Sequence, residues 1–286
     1  MKNAIRRVIV LTHGVPTVSA DSLRLTLAVL QERNIDVLIP ASEREKHGDL
    51  LGDAGHVMVA GDEEDFLGAG LCLVLGGDGT MLRGFRLTRG RGIPVAGVNL
   101  GRVGFLTTVP REELASGIGR LLDGDFVEYP LLGLEANLGA TQFQAANDVV
   151  VSRGERPHAC SLALTINGVT LFEVLCDGVV VATPVGSSAY SLAAGGPLVG
   201  ITVDAYVITL VAAHSVGVRP VVAAPQDVLE VTNTDGTADC YLDVDGQRLA
   251  TLTPGATLRV RTGEALTSLA LLQGDSLYHH FRDRLF

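Results

Sequence analysis

The sequence predicts an α/β domain with an open, largely parallel sheet over residues 1–125, then a β-rich domain over 126–270. A helical tail at 271–286 is expected to return to the first domain. Three observations carry this expectation. The chain has 286 residues, more than one core usually fills. Its first part alternates short apolar runs with segments of helical period. After Asp123-Gly124 the pattern changes to short strands divided by turn pairs.

Each element has its own warrant. Val8–Leu11 reads as a short buried strand, and Ser19 or Asp21 can cap a helix with Leu23, Leu27 and Leu30 on one face. Ile35–Ile39 is a second strand, closed by Pro40, and the polar stretch 43–54 reads as surface. Val57–Ala60 is a third strand, and the acidic run Asp62-Glu63-Glu64-Asp65 reads as a solvated helix start. Leu71–Leu75 is apolar throughout, which suits a central parallel position. Residues 80–89 read as helix, Ile93–Val98 as strand and Arg111–Leu122 as helix, joined by right-handed crossovers. In the second half Asn167-Gly168 and Asp245-Gly246 each separate two strand runs, the strongest short-range hairpin signal. Thr257–Arg261 and Ser268–Leu272 continue the strands. Residues 275–286 read as a helix, with Leu277, Phe281 and Leu285 at i, i+4 and i+8.

Composition excludes several functions. Twenty-two basic against 32 acidic residues give a net charge of −10, which repels nucleic acid and anionic lipid. The only lysines are Lys2 and Lys46, so there is no P-loop, no protein-kinase lysine and little scope for Schiff-base chemistry. Cys72, Cys160, Cys176 and Cys240 lack redox or zinc spacing and read as buried small hydrophobes. The apolar run near the N-terminus is too short for a signal peptide, and Ala205–Ala213 is far short of a membrane span. A cytoplasmic protein is expected.

Three stretches can carry chemistry. In Leu73–Thr80 an apolar strand runs into Gly76-Gly77-Asp78-Gly79, and a helix follows. Glycines let a ligand approach the backbone, and a helix N-terminus offers N–H groups to phosphate. A carboxylate repels phosphate, so Asp78 accepts a proton from an attacking hydroxyl, holds a cation, or merely caps the turn. Arg83, one turn on, meets a phosphate or is solvated. In the second stretch, Asp177 to Pro197, small residues and hydroxyls leave room for a flat ring on which Tyr190 could stack. The third is Asn147-Asp148, whose amide and carboxylate suit a purine edge and ribose hydroxyls, or an Asx turn. His158 and His214 are lone loop histidines, more often structural than ligating.

These residues resemble a family. Gly76 to Thr80 is similar to the GGDGT motif of NAD kinases, diacylglycerol kinases and phosphofructokinases. Asn99 to Leu106 resembles the NxGxxGFL segment of NAD kinases, and Asp177 to Pro197 their DGxxxxTPTGSTAYSxSAGGP segment. His214 with Arg219-Pro220, and Asp245-Gly246-Gln247, resemble two later motifs in the same order. The resemblance implies a β-sandwich-like second domain and a homodimer or homotetramer. It implies phosphoryl transfer from ATP or polyphosphate to the adenosine ribose 2′-hydroxyl of NAD, with a divalent cation such as magnesium. By position Asp78 becomes the general base, and Gly79 and Arg83 lie in the phosphate region. Asn147 and Asp148 hold the dinucleotide, and His158 takes a basic ligand-contact position. Asp177 meets the nicotinamide half across a subunit interface, Ser188, Ala189, Tyr190 and Ser191 frame the rings, and Gln247 supports them. Asp148 stands where the family has Glu, while Val185 and Ser188 replace Thr. Two other readings share features with this one. A lipid kinase shares GGDGT but needs a greasy acceptor pocket, and a non-catalytic NAD(H) or NADP(H) binder gains little from Asp78.

Overall fold

The computed structural model describes residues 5–51, 56–60, 66–101, 104–155, 158–215, 217–265 and 267–285. It forms two compact units, Met1–Pro130 with Thr267–Phe286, and Leu131–Leu266. The acidic run 62–65, with its expected helix start, lies outside the described residues.

The first unit opens with β1 (Arg7–Thr12), α1 (Pro16–Glu32), β2 (Asp36–Pro40), α2 (Ala41–Leu51), β3 (Val57–Ala60) and β4 (Leu71–Gly76). It continues with α3 (Asp78–Thr88), β5 (Pro94–Asn99), β6 (Val109–Pro110), α4 (Leu114–Leu122) and β7 (Phe126–Leu131). The strands β1 to β5 pair in parallel in the order β3-β2-β1-β4-β5. Burial explains the apolar strands. Val8, Val10, Leu71, Leu73 and Leu75 meet Leu23, Leu27 and Leu30 of α1 and Ile118 and Leu121 of α4 in one core. Helix α3 lies against the sheet so closely that a Cβ on Gly84 would sit 2.9 Å from Val95.

The second unit contains β8 (Leu134–Leu138), β9 (Thr141–Ala145), β10 (Asp148–Arg153), β11 (Cys160–Ile166), β12 (Val169–Cys176) and β13 (Gly178–Ala182). A 3-10 turn at Gly186–Ser188 leads to the short α5 (Tyr190–Ala193). Then come β14 (Tyr206–Val211), β15 (Val221–Ala223), β16 (Leu229–Asn233), β17 (Cys240–Val244), β18 (Gln247–Leu252) and β19 (Thr257–Thr262). They make two antiparallel sheets, β15-β14-β13-β10-β17-β18 and β12-β11-β16-β19-β8-β9. Their inner faces share one core, with Val149, Val179 and Leu242 from the first and Leu162, Val231 and Leu258 from the second, so the unit is a sandwich. Both expected hairpin turns form, with positive φ at Asn167 (50°), Gly168 (81°), Asp245 (46°) and Gly246 (75°). Two consecutive positive φ values match the twist of the flanking strands.

The chain then returns to the first unit as β20 (Thr267–Leu272) and α6 (Leu277–Leu285). Strand β20 lies between β5 and β7 in the first sheet. Sequence reading grouped this strand with the β-rich half, because strand character does not name a sheet. Its run of Leu269, Ala270, Leu271 and Leu272, buried on successive positions, fits a sheet covered on both faces. The tail helix packs as expected, Phe281 meeting the Phe105 ring edge-on at 5.6 Å.

Three local expectations change. Helix α1 starts at Pro16, not beside Ser19 or Asp21, because proline pre-sets the first helical φ. Helix α3 starts at Asp78 behind Gly77, two residues before Thr80. The polar stretch after Pro40 is not all surface, since Glu43 and His47 are 1% and 4% exposed. Polar composition cannot separate solvated side chains from buried, paired ones.

The placement of β20 has a measurable consequence. Leu269→Ala is expected to lower stability by roughly 2–5 kcal/mol in denaturant unfolding. Leu67→Ala, at a 65% exposed position, should stay within about 0.5 kcal/mol of the parent.

Candidate active site

In the first unit the strand order reverses between β1 and β4. The carboxyl ends of such a strand pair open the crevice where open α/β sheets bind ligands. Thr12 ends β1, and Gly76 ends β4. A Cβ on Gly76 would collide with the Thr80 side chain, so the turn into α3 requires glycine. Asp78 is the first residue of α3. Its Oδ2 accepts the Phe105 N–H and its Oδ1 the Leu106 N–H, each at 3.0 Å. Gly104 passes so near that a Cβ would lie 2.6 Å from Oδ1. The two family-like motifs of this unit therefore clasp each other through Asp78. Arg102 and Val103 of the second motif lie outside the described residues. Gly79 is exposed on the first turn, where N–H groups have no intrahelical acceptor.

Arg83 is neither solvated nor open to the crevice on all sides. Its Nη1 donates to the Thr12 carbonyl at 3.0 Å, and its Nη2 meets Glu43 Oε1 at 2.8 Å. Lys46 Nζ reaches the same Glu43 oxygen at 2.8 Å and the Thr12 hydroxyl at 3.1 Å. The Thr12 hydroxyl donates to Glu43 Oε2 at 2.5 Å and lies 2.9 Å from His47 Nε2. Burial pushes the Glu43 carboxyl up, but hydrogen bonds from Lys46, Thr12 and Arg83 outweigh it and leave it below its usual range. Sequence reading missed Thr12, Glu43, Lys46 and His47. The available signal was Lys46, one of only two lysines, one turn from an acid.

In the second unit Asn147 lies between β9 and β10 and Asp148 opens β10, 7% and 6% exposed. Asp245 organises them. Its Oδ2 accepts the Ala146 N–H at 3.0 Å, and its Oδ1 accepts the N–H groups of Asn147 at 2.7 Å and Asp148 at 3.3 Å. Burial, and then the Asp245 charge, push the Asp148 carboxyl up to about 7. Asn147 Oδ1 is buried without a hydrogen-bond partner. The segment 183–188 is built onto this turn. Thr183 donates its backbone N–H to the Asn147 carbonyl at 2.8 Å and its hydroxyl to the Ala146 carbonyl at 2.7 Å. A Cβ on Gly186 would strike the Asn147 backbone.

The other expected residues divide between the two ends of this sheet. Ser188 is half-buried and donates to the Val185 carbonyl at 3.0 Å, while Ala189 and Tyr190 are exposed beside it. Ser191 is fully buried against the Thr209 hydroxyl at 2.9 Å, so it supports this loop from behind rather than framing a ring at the surface. Gln247 is exposed at the hairpin that carries Asp245. In that motif the aspartate makes the structural contacts, although its turn-forming role was the only one legible in sequence. Asp177 sits at the opposite end of β13 from Thr183, roughly 20 Å away at strand rise. There it pairs with Arg153 at 3.2 Å, and His158 is exposed near the same end.

Comparison with known proteins accounts for this arrangement. Residues 4–126 match the family described as the ATP-NAD kinase N-terminal domain, and residues 146–272 match the ATP-NAD kinase C-terminal domain. An NAD kinase of Gemmatimonas aurantiaca is 37% identical over 219 residues, covering 74% of this chain and 76% of that protein. NAD kinase 2 of Streptomyces coelicolor is 32% identical and covers 99% of this chain and 94% of its own length. The chain belongs to the NAD kinase family. In structure it is similar to yeast NADH kinase complexed with NADH, with a TM-score of 0.85, 25% identity, and coverage of 99% of this chain and 88% of that one. An NAD kinase from Archaeoglobus fulgidus in complex with ATP shares the fold at a TM-score of 0.71 and 21% identity, covering 98% of this chain and 97% of its own. The two-domain NAD kinase architecture, with an α/β unit and an antiparallel sandwich, is thus the one observed. Among the described residues no helix is long and apolar enough to cross a membrane.

Two measurements test these networks. Glu43→Gln removes the negative charge shared by Lys46 and Arg83 and turns one acceptor oxygen into a donor, and should cost roughly 1–3 kcal/mol in denaturant unfolding at neutral pH. Because the Glu43 carboxyl is depressed, that difference should shrink as pH falls below the ordinary carboxylate range. Asp148 has the opposite sign. Its carboxyl rises from 3.8 to about 7, so its contribution is fully present below pH 3.8 and lost as pH climbs through 7. Over that window the parent should lose of order 1–4 kcal/mol relative to Asp148→Asn.

Proposed function

We propose that this chain is an NAD kinase that transfers a phosphoryl group from ATP or polyphosphate to the adenosine ribose 2′-hydroxyl of NAD, making NADP. Family membership over both halves supports the reaction class. The observation that carries the residue assignment is Asp78, a carboxylate at the mouth of the β1–β4 crevice with each oxygen fixed by one backbone N–H. An ionised carboxylate is an acceptor only, so it suits the donor hydroxyl of a substrate. Asp78 takes the hydroxyl proton as general base. Such transfer is mainly positioning and charge neutralisation. The Gly79 amide, Arg83 and Lys46 supply positive potential toward the phosphates, and Glu43 holds the two cations in place before the donor arrives.

The adenosine end of NAD belongs with Asn147 and Asp148. The unpartnered Asn147 Oδ1 suits a donor such as an exocyclic amine, and the Asp148 carboxyl suits ribose hydroxyls. Ser188, Ala189 and Tyr190 form the adjoining ring surface, with Gln247 beside it. Asp177 and His158, some 20 Å along the strand, serve a second copy's ligand, which is the reason to infer a homodimer or homotetramer. Exposed Val169, Leu171 and Leu175 on β12 fit such an assembly.

Magnesium fits as an ion carried by the donor. Among the described residues no three His, Cys, Asp or Glu side chains gather to hold a metal. Magnesium keeps several waters and accepts phosphates with one or two carboxylates, so no dedicated cage is required. When bound it neutralises charge on the donor phosphates. A cytoplasmic location is consistent with these substrates.

Incubating the protein with NAD, magnesium and ATP or polyphosphate, with NADP followed by chromatography, tests the proposal. Asp78→Asn should lower turnover by roughly 10²–10⁴ while leaving NAD binding by calorimetry within a few-fold. An unchanged rate removes Asp78 from proton transfer, and tight NAD binding without turnover under either donor overturns the kinase reading.

A further inference from the structure

Three of the four cysteines converge inside the second unit. Cys160 opens β11, Cys176 closes β12 and Cys240 opens β17. Cys160 and Cys176 stand directly opposite each other in their ladder. Directly opposed antiparallel residues have Cα atoms about 4.5–5.5 Å apart, within the range a disulfide spans. Cys240 comes from the other sheet of the sandwich, and the Cys160 thiol lies within hydrogen-bond reach of both Cys176 and Cys240. Cys160 Sγ is also 3.1 Å from the Cys176 carbonyl oxygen. One buried cysteine is an ordinary small apolar residue, but a thiol with two others within its reach in one core can pass between reduced and disulfide forms.

Access and reactivity favour one of the three. Cys160 lines a cavity of about 140 Å³ together with Arg153, His158, Asp235 and Asp239. Arg153 and His158 on its wall are exposed. Hydrogen bonds from the Cys176 and Cys240 thiols hold the Cys160 thiol well below the ordinary range. The Cys160 sulfur and burial in turn push the other two up. The thiolate is the nucleophile, and of the three cysteines it is Cys160 that lines the cavity. Cys72 is different, because burial in the first sheet pushes its thiol up and none of these three lies beside it.

We propose that Cys160, Cys176 and Cys240 form an oxidisable thiol site that a small peroxide converts to a disulfide. The Cys160 thiolate attacks one peroxide oxygen and the O–O bond breaks. The departing oxygen takes a proton and leaves as water, and Cys160 becomes a sulfenic acid. Cys176 or Cys240 then attacks that sulfur, the S–O bond breaks, and hydroxide leaves with the thiol proton as a second water. Two thiols lose two electrons, and one peroxide gains them. The site is coupled to ligand binding through the chain itself. Cys176 is followed by Asp177, whose partner Arg153 shares the cavity wall. Drawing Cys160 onto either partner shifts this end of β12 and with it the Asp177 carboxylate.

The test uses the full chain and hydrogen peroxide, followed by alkylation and disulfide mapping by mass spectrometry. The expected product has lost two hydrogens, contains one disulfide with Cys160 in it, leaves Cys72 alkylated, and reverts with dithiothreitol. Cys160→Ala should abolish the product, and Cys176→Ala should divert it to the Cys160–Cys240 pair. Four unmodified thiols, or oxidation as fast at Cys72 as at Cys160, overturn the site. The kinetic arm rests on the NAD kinase reading. Oxidised enzyme should show a several-fold higher KM for NAD with the donor KM unchanged, and a disulfide without that split overturns the coupling to Asp177. The mass readout stands whether or not the chain phosphorylates NAD.

Discussion

A turn aspartate that gathers backbone amides from a distant loop is the constraint on which both halves of this protein depend. In the first unit Asp78 takes the amides of Phe105 and Leu106, 27 and 28 residues further on. In the second, Asp245 takes three amides around Asn147, nearly a hundred residues back. Each loop carries N–H groups that no strand or helix satisfies, and each carboxylate is an acceptor that needs no rotamer change to hold two or three of them. Charge-assisted bonds of this kind are roughly twice as strong as neutral ones. They hold the Phe105–Leu106 and Ala146–Asp148 segments at defined positions.

Charge is managed differently in the two units. In the first, one carboxylate at Glu43 is buried and kept ionised by Lys46, Thr12 and Arg83. The chain is acidic overall, yet its β1–β4 crevice is edged by two cations, Lys46 and Arg83, paired with that carboxylate. In the second, Asp148 is buried beside another carboxylate and without a cation, so its proton is held to about neutral pH. A carboxyl that keeps its proton below about pH 7 can, in that form, donate as well as accept a hydrogen bond. This suits a group facing sugar hydroxyls.

The same sandwich that carries the Asn147 turn also carries the thiol trio, at the other end of its strands. The two ends of the sheet are joined by β13, which runs without a break from Gly178 to Ala182 between Asp177 and Thr183. A close-packed interior such as the one on either side of this strand transmits strain.

Sequence alone determined the order and type of most elements, the two hairpins at Asn167-Gly168 and Asp245-Gly246, and the turn into α3. Those features follow from local rules: side-chain period, positive φ, and glycine where a Cβ would collide. It also identified the motifs by their residue types. It did not reveal that Asp78 holds the second motif, that Asp245 rather than Gln247 anchors its own, or that Glu43 lies buried under Arg83. Nor did it assign β20 to the first sheet or bring three cysteines together. Each of these is a pairing between residues far apart in the chain, and residue type and spacing carry no information about which distant partner is met. Only the path of the folded backbone decides that.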